Sequence, residues 1–291
     1  MKNSILVFIF LASFTMSAQI KGVVKDSISG NPVSYVNIWV ENENFGTTSE
    51  ENGQFSIHEP HKSRRLIFSA LGYEKKIVNI SNAAEVRLKP TAVALDEITI
   101  VKRHETRQIE IGKSDEIFQA FDNGPRMDVK FFPYKPSYKK TRYIKQVVIN
   151  TDSRIDNATL RLHFYGIDAN GLPGDELLEK DFIVSVDKGV KRTTFKVTKF
   201  NLVMPKQGIF VGFEKLMIAA NKVERTVTDA NTNTKQTLTN FYPFFLYNVA
   251  KSDTAISFSG GKWVKTTPTD VNDPLRQLTI NVPAINLILT N

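Results

Sequence analysis

The sequence predicts an all-β protein built as two successive β-sandwiches. Apolar residues recur at every second position in short runs, as at Val36, Ile38 and Val40, and this is the spacing of a strand with one buried face. Turn signals such as Asn52-Gly53 separate the runs. The length of 291 residues is enough for about two domains. A hydrophobic content of 41% is enough to give each of them a core.

Residues 1–18 have the pattern of a secretory signal peptide. A basic start at Lys2 is followed by an apolar run over residues 5–11, and Ser17-Ala18 offers small residues before a cleavage point at Gln19. The apolar run is shorter than the ~20 residues of a membrane-spanning helix. We therefore predict an exported protein that has no transmembrane span and is placed in the periplasm, at the outer membrane or at the cell surface.

The first sandwich is predicted over residues 19–101. Its strands are expected at residues 20–24, 33–40, 54–57, 65–70, 76–80 and 86–88. Their spacing indicates a small sandwich of about seven strands.

Residues 102–130 are polar at their start and predict a linker, with one short helix over residues 114–121. The second sandwich is predicted over residues 131–291, larger than the first and jelly-roll-like. Its strands are expected at residues 143–149, 160–165, 181–186, 192–197, 208–214, 244–248 and 277–282, with long loops at 220–239 and 260–274.

A set of short motifs in the first half resembles the carboxypeptidase regulatory-like family, whose fold is a transthyretin-like sandwich. The motifs are Ile20-Lys21-Gly22-Val23-Val24-Lys25-Asp26, Asn31-Pro32-Val33, Gly46-Thr47-Thr48, Asn52-Gly53-Gln54-Phe55 and Leu71-Gly72-Tyr73. The resemblance implies an accessory domain, of the kind found beside zinc carboxypeptidases or at the front of TonB-dependent receptors. Residues 95–101 are similar to the strand that precedes the plug of such receptors, but too few residues follow for a plug and barrel.

The second half resembles, more weakly, a module of exported bacterial proteins that often follows a transthyretin-like domain. The likeness is carried by residues 160–165, by Asn170-Gly171-Leu172-Pro173-Gly174 and by residues 203–214. The role of such modules is generally unassigned, so this resemblance implies an architecture and no activity.

Catalytic and metal-binding motifs do not emerge from the sequence. The histidines are His58, His61, His104 and His163, and none begins the His-x-x-Glu pair of a zinc carboxypeptidase. His163 is expected on the surface of a strand. Asp168 starts a stretch like a calcium loop, but Pro173 stands where that loop needs glycine, which favours a hairpin turn. We predict no catalytic residue, metal or cofactor.

Charge and cysteine content limit the classes of partner. The net charge of +8 can favour anionic surfaces, although the basic residues are spread along the chain and ordinary solvated charge is the simpler interpretation. No nucleic-acid module is recognisable. The absence of cysteine excludes disulfides, thiol chemistry and a lipid-anchored cysteine.

Three aromatic residues are candidates for ligand contact, namely Trp263, Tyr242 and Tyr138. Trp263 is expected in a loop, and the other two lie in aromatic-rich stretches. The sequence therefore predicts a non-catalytic exported binding or accessory protein of the cell envelope, recognising a glycan or an outer-membrane protein. Two alternatives stay open: a hydrolase whose site is assembled from loops of the second sandwich, and a purely structural part of a surface assembly.

Overall fold

A computed structural model describes residues 19–58, 63–91, 105–112, 120–121, 124–229, 232–250, 255–266 and 280–291. Across these residues the protein is all-β, as predicted, and the helical pieces are 3₁₀ turns at Ile80–Asn82, Pro136–Lys140, Thr198–Phe200 and Ala219–Asn221. The predicted signal peptide and the 95–101 segment lie outside the described residues. In the described part of the chain, no helix has the length and apolar character needed to cross a membrane.

The N-terminal domain is a sandwich of seven strands. They are β1 (Gln19–Asp26), β2 (Asn37–Val40), β3 (Gly46–Thr48), β4 (Gln54–His58), β5 (Arg65–Ser69), β6 (Lys76–Asn79) and β7 (Glu85–Leu88). One sheet has the order β4-β1-β7 and the other β3-β2-β5-β6. Alternate residues of both sheets meet in one core, in which the rings of Phe55 and Phe68 pack edge to face.

The C-terminal domain contains sixteen strands. They are β8 (Gln108–Ile111), β9 (Ala120–Phe121), β10 (Met127–Phe132), β11 (Tyr143–Ser153), β12 (Ala158–Ile167), β13 (Pro173–Glu176), β14 (Phe182–Val186), β15 (Gly189–Lys196), β16 (Ile209–Lys215), β17 (Lys222–Thr228), β18 (Lys235–Phe241), β19 (Phe244–Ala250), β20 (Ala255–Ser259), β21 (Lys262–Thr266), β22 (Ile280–Pro283) and β23 (Ile285–Thr290).

Fourteen of these strands form two seven-stranded sheets. The first has the order β13-β12-β16-β10-β20-β21 with β14 beside β12, and the second has β22-β19-β11-β23-β8 with β15 beside β11 and β9 beside β19. The inward residues of both sheets share one large core, in which Phe213 of the first sheet stacks on Phe245 of the second. The second domain is thus a larger β-sandwich.

The structure differs from the sequence-based expectation in three places. The segment 102–130 contributes strands to the C-terminal sheets, since β8 pairs with β23 and β10 with β16. Of the helix predicted at 114–121, residues 114–119 lie outside the described residues, and Ala120–Phe121 is a strand. Residues 220–239, predicted as a loop, contain the hairpin β17–β18, whose exposed polar residues hide its strand periodicity.

Candidate functional site

The N-terminal domain covers the outer face of the first C-terminal sheet. Met217 N donates to Thr48 Oγ1 at 3.1 Å, and Ser259 Oγ donates to Asn44 Oδ1 at 2.7 Å. The tip of the β20–β21 hairpin also lies against the N-terminal domain, where Lys75 Nζ donates to the carbonyl of Gly261 at 3.2 Å. Side chains on the outer face of β12 and β16 are therefore buried at a joint between the two domains.

Arg161 is the central cation of this joint. It lies on β12 directly opposite Glu214 of β16, and its Nη1 is 3.2 Å from Glu214 Oε2. Its other terminal nitrogen donates to the carbonyl of Tyr35 in the N-terminal domain. Nε lies 3.3 Å from Asp181 Oδ1, an ion-pair distance without a hydrogen bond. Arg161 is only 2% exposed, so it crosses the joint fully desolvated.

His163 follows on the same face of β12 and contacts two carboxylates. Its Nδ1 is 2.7 Å from Glu176 Oε2 and its Nε2 is 3.0 Å from Glu214 Oε2. The prediction of a surface histidine was wrong, because the N-terminal domain covers this face of the sheet and leaves His163 8% exposed. We call Arg161, His163, Glu176 and Glu214 the joint network.

The joint network balances two positive groups with two negative ones. Burial lowers the pKa of His163, but the carboxylates of Glu176 and Glu214 reverse the effect and raise it to about 9. Burial raises the pKa of Glu214, and the charge of Arg161 and the bond from His163 more than offset this, so the pKa falls below its usual value. His163 is therefore an imidazolium at neutral pH.

The joint network lacks the open carboxylate pair of a glycoside hydrolase. In a glycoside hydrolase two carboxylates face each other across the substrate and a water. Here the imidazolium of His163 fills the space between Glu176 and Glu214. A histidine whose pKa is about 9 is also a poor general base at neutral pH. The hydrolase alternative finds no support in the joint network.

We expect His163 to make the stability of the protein fall at alkaline pH. Its folded-state pKa of about 9 lies above the unfolded value near ~6.5, so its stabilisation is complete below pH ~6.5 and lost as the pH rises through 9. Urea unfolding midpoints at pH 6 and pH 9.5 measure the loss. His163→Gln should flatten the profile, and parallel profiles of the two proteins would contradict the assignment.

A pocket of about 220 Å³ opens beside the joint network. Both domains line it, with Asn37 and Ser69 from the N-terminal domain and His163, Glu176 and Trp263 from the C-terminal domain. The lining continues with Ala70, Leu71, Met127, Arg161, Tyr165 and Phe258. We call this the joint pocket. Its volume is below the ~300–1,000 Å³ of sites for larger ligands and fits one small ring.

An aromatic series forms one wall of the joint pocket. Trp263 packs edge to face against Tyr165 at 5.4 Å and against Phe258 at 5.2 Å between ring centroids. Tyr165 in turn stacks on the imidazole of His163 at 5.4 Å. Burial raises the pKa of Tyr165 well above its usual value, so its hydroxyl stays protonated. The pocket thus combines aromatic ring surfaces with the polar side chains of His163 and Glu176.

The three aromatic residues singled out in the sequence occupy different environments. Trp263 lines the joint pocket from strand β21 and not from the predicted loop. Tyr138 and Tyr242 are buried in the C-terminal core, at 7% and 3% exposure, where little ring surface remains for a ligand. Tyr242 stacks on Phe244, and Tyr138 packs edge to face against Tyr134.

Asp168 forms a turn, and the described part of the chain holds no metal-binding group around the remaining candidates. Asp168 Oδ1 accepts from the backbone of Asn170 and Leu172, which is the predicted turn. Among the described residues no group of His, Cys, Asp and Glu has a metal-binding arrangement. His61 and His104 lie outside the described residues.

The joint network was missed because its members come from distant segments. Arg161 and His163 do share alternate positions of one strand, but two cationic side chains on an outward face predict a solvated surface and give no sign of a covering domain. Their carboxylate partners, Glu176 and Glu214, come from two further strands.

The chain resembles solved structures at low sequence identity. The chain is similar to the cysteine protease and lectin-like domains of Cwp84 from Clostridium difficile, with 11% identity, a TM-score of 0.32, and coverage of 89% of this chain and 58% of that one. It is similar to the D431N mutant VP2 protein of infectious bursal disease virus, with 12% identity, a TM-score of 0.24, and coverage of 94% and 58%.

The chain thus spans 58% of the length of each of those two structures, and neither likeness bears on its function. A search of curated proteins gives no match. Residues 20–100 match the CarboxypepD_reg-like domain family. Together with the seven-stranded sandwich found there, this match identifies the N-terminal unit as a carboxypeptidase regulatory-like domain.

Proposed function

We propose that this chain is a non-catalytic, exported binding protein of the cell envelope that holds a saccharide in the joint pocket. The observation that carries the proposal is the meeting of Trp263 and Tyr165 with Glu176 and Asn37 in one small cavity. Aromatic rings supply apolar contact area, and a few fixed polar groups orient a ligand. A sugar ring has both an apolar face and a rim of hydroxyls.

The polar groups of the pocket retain acceptor capacity. Glu176 accepts bonds from Phe164 N at 2.7 Å, from His163 and from the Tyr165 hydroxyl, whereas a carboxylate has about four acceptor positions. Sugar hydroxyls are donors of the kind that such positions bind. The pocket volume of about 220 Å³ favours recognition of one sugar ring, at a chain end or as a side branch.

The test is a glycan array followed by titration calorimetry with the best binder. Trp263→Ala should weaken binding about tenfold or more, the size of effect expected when an anchoring aromatic is removed. Val264→Ala is the matched control, since Val264 is the next residue of the same strand, is 38% exposed and does not line the pocket.

The outcomes separate the alternatives. Equal affinities of Trp263→Ala and Val264→Ala for the glycan would contradict the joint pocket as the binding site. An array on which no glycan binds would contradict a saccharide as the ligand. Release of new reducing ends from a bound glycan would overturn the non-catalytic assignment. Capture of an outer-membrane protein whose binding depends on Trp263 would replace the saccharide by the protein partner.

A further inference from the structure

Two stretches of the sequence contain cations and no carboxylates. Residues 129–151 hold six Lys and Arg residues with no Asp or Glu, and residues 188–213 hold another six, again with none. The net charge of the whole chain is only +8, so these two stretches concentrate much of the excess. In a soluble surface of mixed charge, both signs are normally interspersed.

The fold places the two stretches side by side. Ile144 N donates to the carbonyl of Leu202 at 2.9 Å, Met204 N to that of Arg142 at 2.8 Å, and Val197 N to that of Lys145 at 2.9 Å. Strand β11 continues the contact through its antiparallel pairing with β15. The segments around Arg142 and Met204, with the cations they carry, therefore lie side by side in the C-terminal sandwich.

Six exposed cations make up what we call the basic surface. They are Lys135, Lys139, Lys140, Arg142, Lys199 and Lys206. None of the six takes part in a salt bridge among the described residues.

Two acidic groups near these segments pair with cations outside the six. Glu105 lies 2.7 Å from Lys145, and Asp181 pairs with Arg161 in the joint. Neither Glu105 nor Asp181 forms an ion pair with any of the six cations in the described residues.

The basic surface is held in place by buried anchors. Tyr138 is buried within the 3₁₀ turn Pro136–Lys140, so the neighbouring Lys139 and Lys140 are held outward. Lys199 lies over the rings of Phe182 and Phe200, at 5.2 and 4.9 Å from their centroids. Val203 is 41% exposed in the adjoining segment. The basic surface is therefore a fixed cationic area that also exposes the apolar side chain of Val203.

We propose that the basic surface docks the protein onto an anionic lipid bilayer. Clusters of four to eight Lys and Arg residues bind anionic lipid headgroups, each cation contributing about 1 kcal/mol near the surface. The cations are spread over two chain segments, which suits an extended layer of headgroups, and Val203 adds apolar area for the interface. None of the six cations lines the joint pocket, so docking to a bilayer stands or falls apart from the saccharide proposal.

The test is co-sedimentation of the full chain with vesicles. Phosphatidylcholine vesicles containing a third phosphatidylglycerol should bind the protein, pure phosphatidylcholine vesicles should not, and added salt should release it. The variant Lys139→Gln, Lys140→Gln, Arg142→Gln should lose roughly tenfold to a hundredfold in partition coefficient. The control Lys21→Gln, Lys235→Gln, Lys262→Gln removes the same charge from exposed positions outside the basic surface.

Binding that is lost in the first triple variant and kept in the control supports the proposal. Equal loss in both variants would show a net-charge effect and overturn the docking surface. Failure of the wild-type chain to bind anionic vesicles would overturn it as well. A soluble acidic polysaccharide or DNA duplex that binds through the same three residues while vesicles do not would replace the bilayer by that polyanion. Circular dichroism of both variants excludes misfolding as the cause.

Discussion

Replacing Arg161 with methionine is expected to lower the free energy of unfolding by about 3–5 kcal/mol. The guanidinium is 2% exposed and is the ion-pair partner of Glu214, which is 3% exposed. Methionine fills a similar volume but leaves the buried Glu214 carboxylate with less countercharge. It also removes the hydrogen bond that Arg161 donates to the carbonyl of Tyr35. Urea denaturation followed by far-UV circular dichroism measures the loss.

Two further variants test the cause of this destabilisation. Asp181→Asn removes the more exposed ion pair of Arg161 and should cost less than about 1 kcal/mol. The double variant Arg161→Met, Glu214→Gln should recover part of the loss, because it removes the stranded charge and keeps a hydrogen-bonding group beside His163. An Arg161→Met loss below about 1 kcal/mol, or a double variant no more stable than Arg161→Met, would contradict a charge-balanced joint.

The substitution Gly22→Ala is expected to destabilise the N-terminal domain by about 3 kcal/mol, at the upper end for overpacking. A Cβ at Gly22 would lie 2.1 Å from the backbone carbonyl of Ala83 and 2.7 Å from the ring of Phe55. Phe55 is the direct cross-strand partner of Gly22 and is itself buried against Phe68. Moving the Ala83 backbone or the buried Phe55 ring aside would cost packing energy. Urea denaturation measures the loss.

Gly166→Ala is the matched control for this prediction. Gly166 is also a strand glycine without a positive φ, and a Cβ there would meet its nearest neighbours at 3.8 and 3.9 Å, which is ordinary contact. The free energy of unfolding of the Gly166→Ala variant should differ from that of the wild-type protein by less than about 0.5 kcal/mol. Equal effects of the two substitutions would mean that strand propensity, and not the close approach of Ala83, governs the response at Gly22.

Period-two alternation was enough to predict the fold class. The pattern at Leu160, Leu162 and Phe164 marks the inward face of β12, and all three side chains lie in the C-terminal core. The same criterion missed the hairpin β17–β18, whose two faces are largely solvated and therefore carry little hydrophobic contrast. Trp263 was assigned to a loop because Gly260-Gly261 precede it, although those glycines form the turn of a hairpin.

The candidate site was harder to predict from the sequence than the fold class. Arg161 and Glu214 are fifty-three residues apart and meet only through the pairing of β12 with β16. Their burial depends on a second domain that covers them, and no local pattern encodes that contact. Trp263 could be proposed as a ligand contact, but its pocket exists only where both domains contribute residues.

The series of rings at the joint also has an optical consequence. The chain has two tryptophans, one from each domain, and both pack edge to face on the same ring of Phe258. Excitation of indole therefore samples one place in the molecule, the seam between the domains. Any separation of the two sandwiches would wet both indoles at once and shift their emission to the red, so the intrinsic fluorescence of this protein records whether the domains are together.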